Sequence, residues 1–246
     1  MADDGTDNPH SASARDPLDR IVSGIEAADR VRVDPPAGMW ERITAAIADH
    51  DPPPAGPPTV VEYSIDARDV VRRVNDDWAA FARHNDAPEI AEALPERPLW
   101  TFMDNQEVRD LWQLLVGRVR AHRVEARVPL RCDGPDTRRW FEMTITPSPD
   151  GVVHFRSVLL FEEPRPAVAL LERHAIRDEQ APPVPVCSWC SEGHDGLGWR
   201  PIEEVVRSLR LLEAAAPRLV HGVCPSCRDL MAEELHAVAG GHLPPV

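Results

Sequence analysis

Apolar residues recur at helical spacing in two short stretches near the start of the chain. Leu18, Ile21, Val22 and Ile25 fall at i, i+3, i+4 and i+7, and Met39, Trp40, Ile43 and Ile47 follow Pro35-Pro36 with a similar pattern. Each stretch is too short to hold a helix alone in water, so each is expected to dock on this chain or on a partner. Residues 1–15 are polar and predict no element, and Asp51 to Pro58 (DPPPAGPP) predicts a semi-rigid linker. The period then shortens to two. Val61, Tyr63 and Ile65 predict a strand, and Val70 to Val74 a second one beyond the turn-prone Asp66-Ala-Arg-Asp. Asn75-Asp-Asp is a helix N-cap signal that opens a short helix with Trp78 and Phe81 on one side. A second short helix near Glu89 to Leu94 ends before Pro95. The longest helix is expected from about Gln106 to His122, striped by Val108, Leu111, Trp112, Leu115 and Val119.

From Val124 the alternation returns. Val124, Ala126, Val128, Leu130 and Cys132 share one face, and Phe141, Met143 and Ile145 share another beyond the turn Asp133-Gly134-Pro135-Asp136. Pro149-Asp-Gly predicts a hairpin into a last strand, Val152 to Phe161. Trp140, Val158 and Leu160 alternate onto the outer side of this sheet, where the helices of residues 16–50 or a second subunit would cover them. Residues 164–185 read as a Pro-rich linker that carries little coupling, with a short helical stretch at Val168 to His174. Beyond it, Ile202, Val205, Val206, Leu209 and Leu212 stripe a helix that opens at Pro201, a favoured first position. Leu230, Met231, Leu235 and Val238 stripe another. The expected organisation is therefore an N-terminal segment (1–57), an α+β domain (59–163), the linker (164–185), a Cys-bearing module (186–236) and a disordered tail (237–246).

Composition narrows the function classes. The 246-residue chain carries a formal net charge of −14, and all 27 of its basic residues are Arg. Residues 1–57 hold 11 acids against 5 Arg, so they do not form a basic arm for phosphates. Binding of nucleic acid is not expected. No apolar run approaches the roughly 18 residues that span a bilayer, and the acidic Met1–Asp7 is followed by no apolar stretch of a secretory signal. The expected location is cytoplasmic, without a membrane anchor.

Two strands, short helices, one long helix and three antiparallel strands, over about a hundred residues, resemble the PAS fold. The residues that carry the resemblance are Val74-Asn75 leading into Trp78, Arg97-Pro98-Leu99-Trp100 before the long helix, and the paired final strands. Patterning alone gives an α+β sheet with helices on one face. The resemblance implies a sensory or interaction domain whose ligand, where there is one, lies between sheet and helices. Trp78, Phe81, Trp100, Phe102 and Trp112 are the candidate pocket residues, and core filling is the alternative for each. Residues 76–104 contain no Cys for a flavin photoadduct. His84 and His122 are haem-ligand candidates by location, with a surface role as the alternative. Arg131, Asp133, Asp136, Arg138 and Arg139 gather at the strand turn, either as an ion-pair site for signal transfer or as a solvated hairpin end.

Four of the five Cys form two C-x₂-C knuckles, Cys187-Ser-Trp-Cys190 and Cys224-Pro-Ser-Cys227, with 33 residues between them. Such knuckles aim two thiolates each at one tetrahedral ion, so Cys187, Cys190, Cys224 and Cys227 are the expected ligands of a structural zinc in a small α-rich module. Redox-active dithiols are the alternative. His194 and His221 are auxiliary ligands or loop residues, and Cys132 is a small core residue. Val-Cys-Ser-Trp-Cys and His221-Gly-Val-Cys-Pro-Ser-Cys, with Gly-Trp199 between them, resemble a C-terminal extension of bacterial signalling proteins. No His has Glu two residues on, as a zinc deaminase requires, and H-E-x-x-H, G-x-S-x-G and phosphate-cradling Gly loops are absent from the sequence. The expected function is thus a non-enzymatic signalling or adaptor protein working through protein partners, with a homodimer through the PAS-like domain as one arrangement. The alternative is a redox-responsive zinc-thiolate regulator that releases a partner on oxidation. Pro36-Ala-Gly-Met-Trp40-Glu-Arg-Ile43 resembles a segment of some anti-sigma factors, although His221 stands one residue closer to Cys224 than their H-x₃-C-x₂-C motif places it.

Overall fold

The computed structural model describes residues 59–211 and 216–240. The expected N-terminal helices, the linker at 51–58, Leu212 and the last six residues lie outside them. The described residues form a mixed α+β structure with five α-helices and an antiparallel five-stranded sheet of order β2-β1-β5-β4-β3. Strand β1 (Val60–Ile65) lies between β2 (Val71–Val74) and β5 (Val153–Pro164). Strands β4 (Thr137–Pro147) and β3 (Ala126–Arg131) extend the sheet beyond β5. Strand-face alternation then decides the core: Val128, Phe141, Met143, Ile145, Val153 and Phe155 are buried.

The helices start where short polar side chains replace the missing turn. Asn75 caps α1 (Asp76–His84) by accepting from the Trp78 N–H at 2.9 Å, and its amide also donates to the Val60 carbonyl. One side chain thus ties the helix start to β1. Helix α2 (Pro88–Ala93) follows, then a 3₁₀ turn at Leu99–Phe102. Asn105 caps the long α3 (Gln106–His122), whose buried Val108, Leu111, Trp112, Leu115 and Val119 are the expected stripe. Arg123, in the left-handed region, ends it.

The C-terminal part builds a second small core. A four-stranded sheet orders β11 (Leu219–Gly222), β7 (Val184–Cys187), β8 (Gly193–His194) and β9 (Trp199–Arg200). A two-stranded parallel pair joins β6 (Arg177–Asp178) to β10 (Ala216–Pro217), whose Ala216 packs against the core to which helix α4 (Ile202–Ser208) contributes. Helix α5 runs from Pro225 to Gly240 and buries Met231, Leu235 and Val238, so residues 237–240 are helical. Pro201 stands just before α4, which stops at Ser208. Arg210 is left-handed, and Leu209 is left exposed rather than in the stripe. Val168, Leu170 and Val184, from the stretch read as a linker, pack with Val186, Ile202, Val205 and Val206.

The weak coupling expected across 164–185 meets an extensive interface. Trp189 stacks on Trp112 with ring centroids 5.4 Å apart and planes 13° from parallel. Strand β3 is an edge whose outward N–H groups find partners in the C-terminal part. The Arg131 N–H donates to the Trp189 carbonyl at 2.6 Å, and the Arg127 N–H to the Glu234 carboxylate at 2.8 Å. Pro129, between them, has no N–H to satisfy. Arg118 donates to the Leu235 carbonyl, and Arg228 pairs with Glu107.

Of the charges at the β3–β4 turn Asp136 is exposed, while Arg131, Asp133, Arg138 and Arg139 enter a partly buried network rather than a solvated hairpin end. The side chains of Asp133 and Arg165 are each 1% exposed, and Asp133 pairs with both Arg131 and Arg165. Glu203, at the start of α4, pairs with Arg138 at 2.7 Å and with Arg165 at 3.1 Å. Burial alone would raise the Glu203 carboxyl, but its Arg138 hydrogen bond and the Arg138 and Arg165 charges hold it below the ordinary range. Removing one member of a buried pair strands the other charge, at a cost of about 3–5 kcal/mol. Asp133→Ala is therefore expected to destabilise by about that amount in urea unfolding, where a solvated turn residue would give under about 1 kcal/mol.

Burial on the β3 edge raises the Glu234 carboxyl above its ordinary 4.5, against the lowering effect of the Arg127 N–H bond. The folded state then holds this proton more tightly than the unfolded one. The contribution is complete below about pH 4.5 and is lost as pH rises through the raised value. Glu234→Gln is expected to flatten this fall, read as the urea midpoint of each protein between pH 4.5 and 7.5.

Candidate functional site

The two knuckles meet because parallel pairing of β7 with β11 sets Cys187 opposite Gly222, two residues before Cys224. The Ser188 N–H donates to the Gly222 carbonyl at 3.0 Å and joins the two loops. In the first knuckle the Ser191 N–H returns to the Cys187 carbonyl, with Ser191 left-handed. In the second, Cys224 immediately precedes α5 and Cys227 lies in its first turn, where the helix dipole favours thiolates. The Cys224 N–H points at the Cys187 sulfur and the Cys227 N–H at the Cys224 sulfur, each at 3.4 Å.

The four sulfurs lie within 4.8 Å of one another, and all four residues are buried. Sulfurs about 2.3 Å from a tetrahedral zinc stand about 3.8 Å apart. The Cys190–Cys224 separation is 3.7 Å, near that edge and far from the roughly 2.05 Å of a disulfide. Hydrogen bonds from Cys190, and from Cys224 and Cys227, pull Cys187 toward the thiolate. Those to Cys187 push Cys190 and Cys227 well above the usual thiol range. The spacing and burial of the four sulfurs nevertheless fit a metal ion, which would take the place of those protons. Soft thiolates in this geometry select zinc or an iron–sulfur centre, and four of them leave zinc no open position.

The auxiliary candidates lie outside this cage. The His194 ring packs edge-on against Trp199, and its Nδ1 accepts from the Gly196 N–H at 3.1 Å. His221 is exposed on β11, on a cleft of about 370 Å³ between the start of α3 and the first knuckle. Of the four Cys, Cys187 reaches this cleft.

A shallow cavity of about 260 Å³, open to the surface, lies between the sheet and helices α1 and α2. Trp78 and Phe81 line it, with Leu130, Cys132, Phe141 and Met143 on the sheet side. Phe81 meets Phe141 edge-on at 5.7 Å. Trp100, Phe102 and Trp112 stand elsewhere. The Trp100 indole N–H is held by Asp69 at 2.6 Å, while Phe102 and Trp112 line the cleft beside Cys187. His84 and His122 are exposed at helix ends. Cys132 is half-buried on the cavity wall, and burial pushes its thiol up to about 11, away from nucleophilic use. Trp189, Arg165 and Glu234 are the structurally central residues that sequence reasoning missed. Glu234 left one signal, an acid beside Leu235 on the apolar stripe of α5.

Among the described residues no helix is long and apolar enough to cross a membrane. Comparison of the chain with protein-family models and with curated proteins gives no match. One equivalent of metal per chain is expected by elemental analysis, falling below about one tenth in Cys224→Ser and staying at one in Cys132→Ser. Full retention in Cys224→Ser would count against the four-thiolate cage.

Proposed function

We propose that this chain is a cytoplasmic signalling or adaptor protein without catalytic activity. In this reading residues 59–163 are a PAS-like sensor, and the four Cys hold a structural zinc. The observation that carries it is the apolar cavity under α1 and α2, on the face of the sheet where the PAS resemblance puts a ligand. The element order and the strand order β2-β1-β5-β4-β3 support the same reading. The wall is almost wholly apolar and presents no unpaired charge, so the matching ligand is a neutral, largely apolar molecule. Output then passes to a protein partner, with a second copy of the chain as one case. The saturated Cys₄ set supports a structural rather than catalytic ion.

A redox-regulator reading has one observation in its favour, the cleft that reaches Cys187. Against it stands burial, since the four Cys are only 1–3% exposed. Zinc retention under mild peroxide supports the structural role, and stoichiometric release supports the redox one.

Thermal shift with neutral aromatic and aliphatic molecules, together with mass spectrometry of molecules extracted from the purified protein, tests the sensor. A ligand at about 100 times its Kd adds about 2.7 kcal/mol of stability. Ala82→Leu, which fills the cavity, is expected to abolish that response. No co-purified molecule and no response from either protein would sink the sensor reading.

A further inference from the structure

We infer that the Cys₄ cluster and the apolar cavity are coupled through strand β3, so that holding the metal fixes the cavity wall and filling the cavity tightens metal retention. The inference rests on the metal and cavity readings above and adds a link between them.

Three observations meet on one strand. Leu130 and Cys132 face the cavity. Arg131, between them, turns its N–H the other way, to the Trp189 carbonyl at 2.6 Å. Trp189 is the residue just before Cys190 in the first knuckle, so metal bonds at Cys187 and Cys190 fix it from both sides. Its ring is fully buried on Trp112, and its indole Nε1–H has no hydrogen-bond partner. Packing and one carbonyl therefore hold it, and both need the knuckle closed. Cys132 also borders the cleft that reaches Cys187, so one side chain touches both compartments.

The chemistry gives two states. With the knuckle closed, the edge amides at Arg127 and Arg131 are bonded to the C-terminal part, and β3 is pinned against β4. With the metal gone the two loops keep the β7–β11 pairing and the Ser188–Gly222 hydrogen bond but lose the tie between their thiolates, and the second core, built largely from Val, Leu and Ile, must hold the rest. Trp189 then leaves Trp112, the Arg131 N–H loses its acceptor, and the β3 end that carries Leu130 and Cys132 loosens. Linkage makes the effect reciprocal, and a ligand resting on Leu130 and Cys132 raises the metal affinity by the factor by which metal tightens the ligand.

The test uses the full chain, with metal content measured first. Amide-resolved hydrogen exchange is followed with and without EDTA. Expected is a loss of protection of roughly tenfold or more at Arg131 that extends to Cys132, whose N–H bonds the Arg139 carbonyl, while β1 and β5 amides keep theirs. Loss that stops at Arg131, or protection unchanged within about twofold in the stripped chain, overturns the coupling. Indole serves as the cavity probe. Where it binds, the metal affinity read by equilibrium competition with the chelator should rise by roughly fivefold or more, and an unchanged affinity overturns the reciprocity. A chain that takes up no metal even on reconstitution fails at the metal analysis, which sinks the metal reading. Trp189→Ala then decides the link alone, with lost protection at Cys132 supporting it and retained protection overturning it.

Discussion

Trp189 is the point on which both halves of the structure depend. It lies inside a knuckle whose Cys neighbours would be fixed by an ion, and its ring is buried on the long helix of the sheet domain. Its carbonyl supplies the acceptor that the β3 edge requires. Unpaired edge N–H groups either cost free energy or recruit another chain, and proteins cover them for that reason. Here the cover is the Cys module, with Glu234 as the second acceptor and Pro129 in the place where an N–H would otherwise be orphaned.

The buried charges act alongside that contact. Asp133, Arg165 and Glu203 are drawn from the β3–β4 turn, the segment after β5 and the start of α4. Ions with so little water around them gain less from burial than apolar residues would, but each needs its partners in place. They therefore fix how α4 sits against the sheet more than they add stability. An arrangement that must satisfy these ion pairs and the Trp189 stack at once has little freedom to shift.

Local signals were legible and long-range ones were not. Asn75 as a cap, the stripe of α3 and the alternation of β4 follow from neighbours in sequence, and the structure places them as the pattern predicts. The four Cys were legible because spacing alone states their geometry. Val168 and Leu170 were hidden by the prolines around them, since a short apolar stretch in a Pro-rich segment gives no period to read. Arg165 and Glu203 looked like ordinary surface residues, because nothing local says which charge will be desolvated. The pocket aromatics were partly misplaced for the same reason. Trp78 and Phe81 share a helix face and reach the cavity together, whereas the partner of Trp112 is a Trp far along the chain.

The interface also changes what a metal would do here. A module of about fifty residues, with a core of a few Val, Leu and Ile, is near the size at which metals or disulfides decide folding. Were it tethered by a free linker, losing the ion would cost that module alone. Instead Val168 and Leu170 place the connecting segment inside the second core, and the Arg138–Glu203, Arg127–Glu234 and Trp112–Trp189 contacts cross to the sheet. The free energy of a metal bound there would thus be shared with the edge strand that walls the cavity. A cage built only to fold its own loops would not need a buried Trp between two of its Cys, and in the proposed coupling it is that Trp which would carry the constraint from thiolates to sheet.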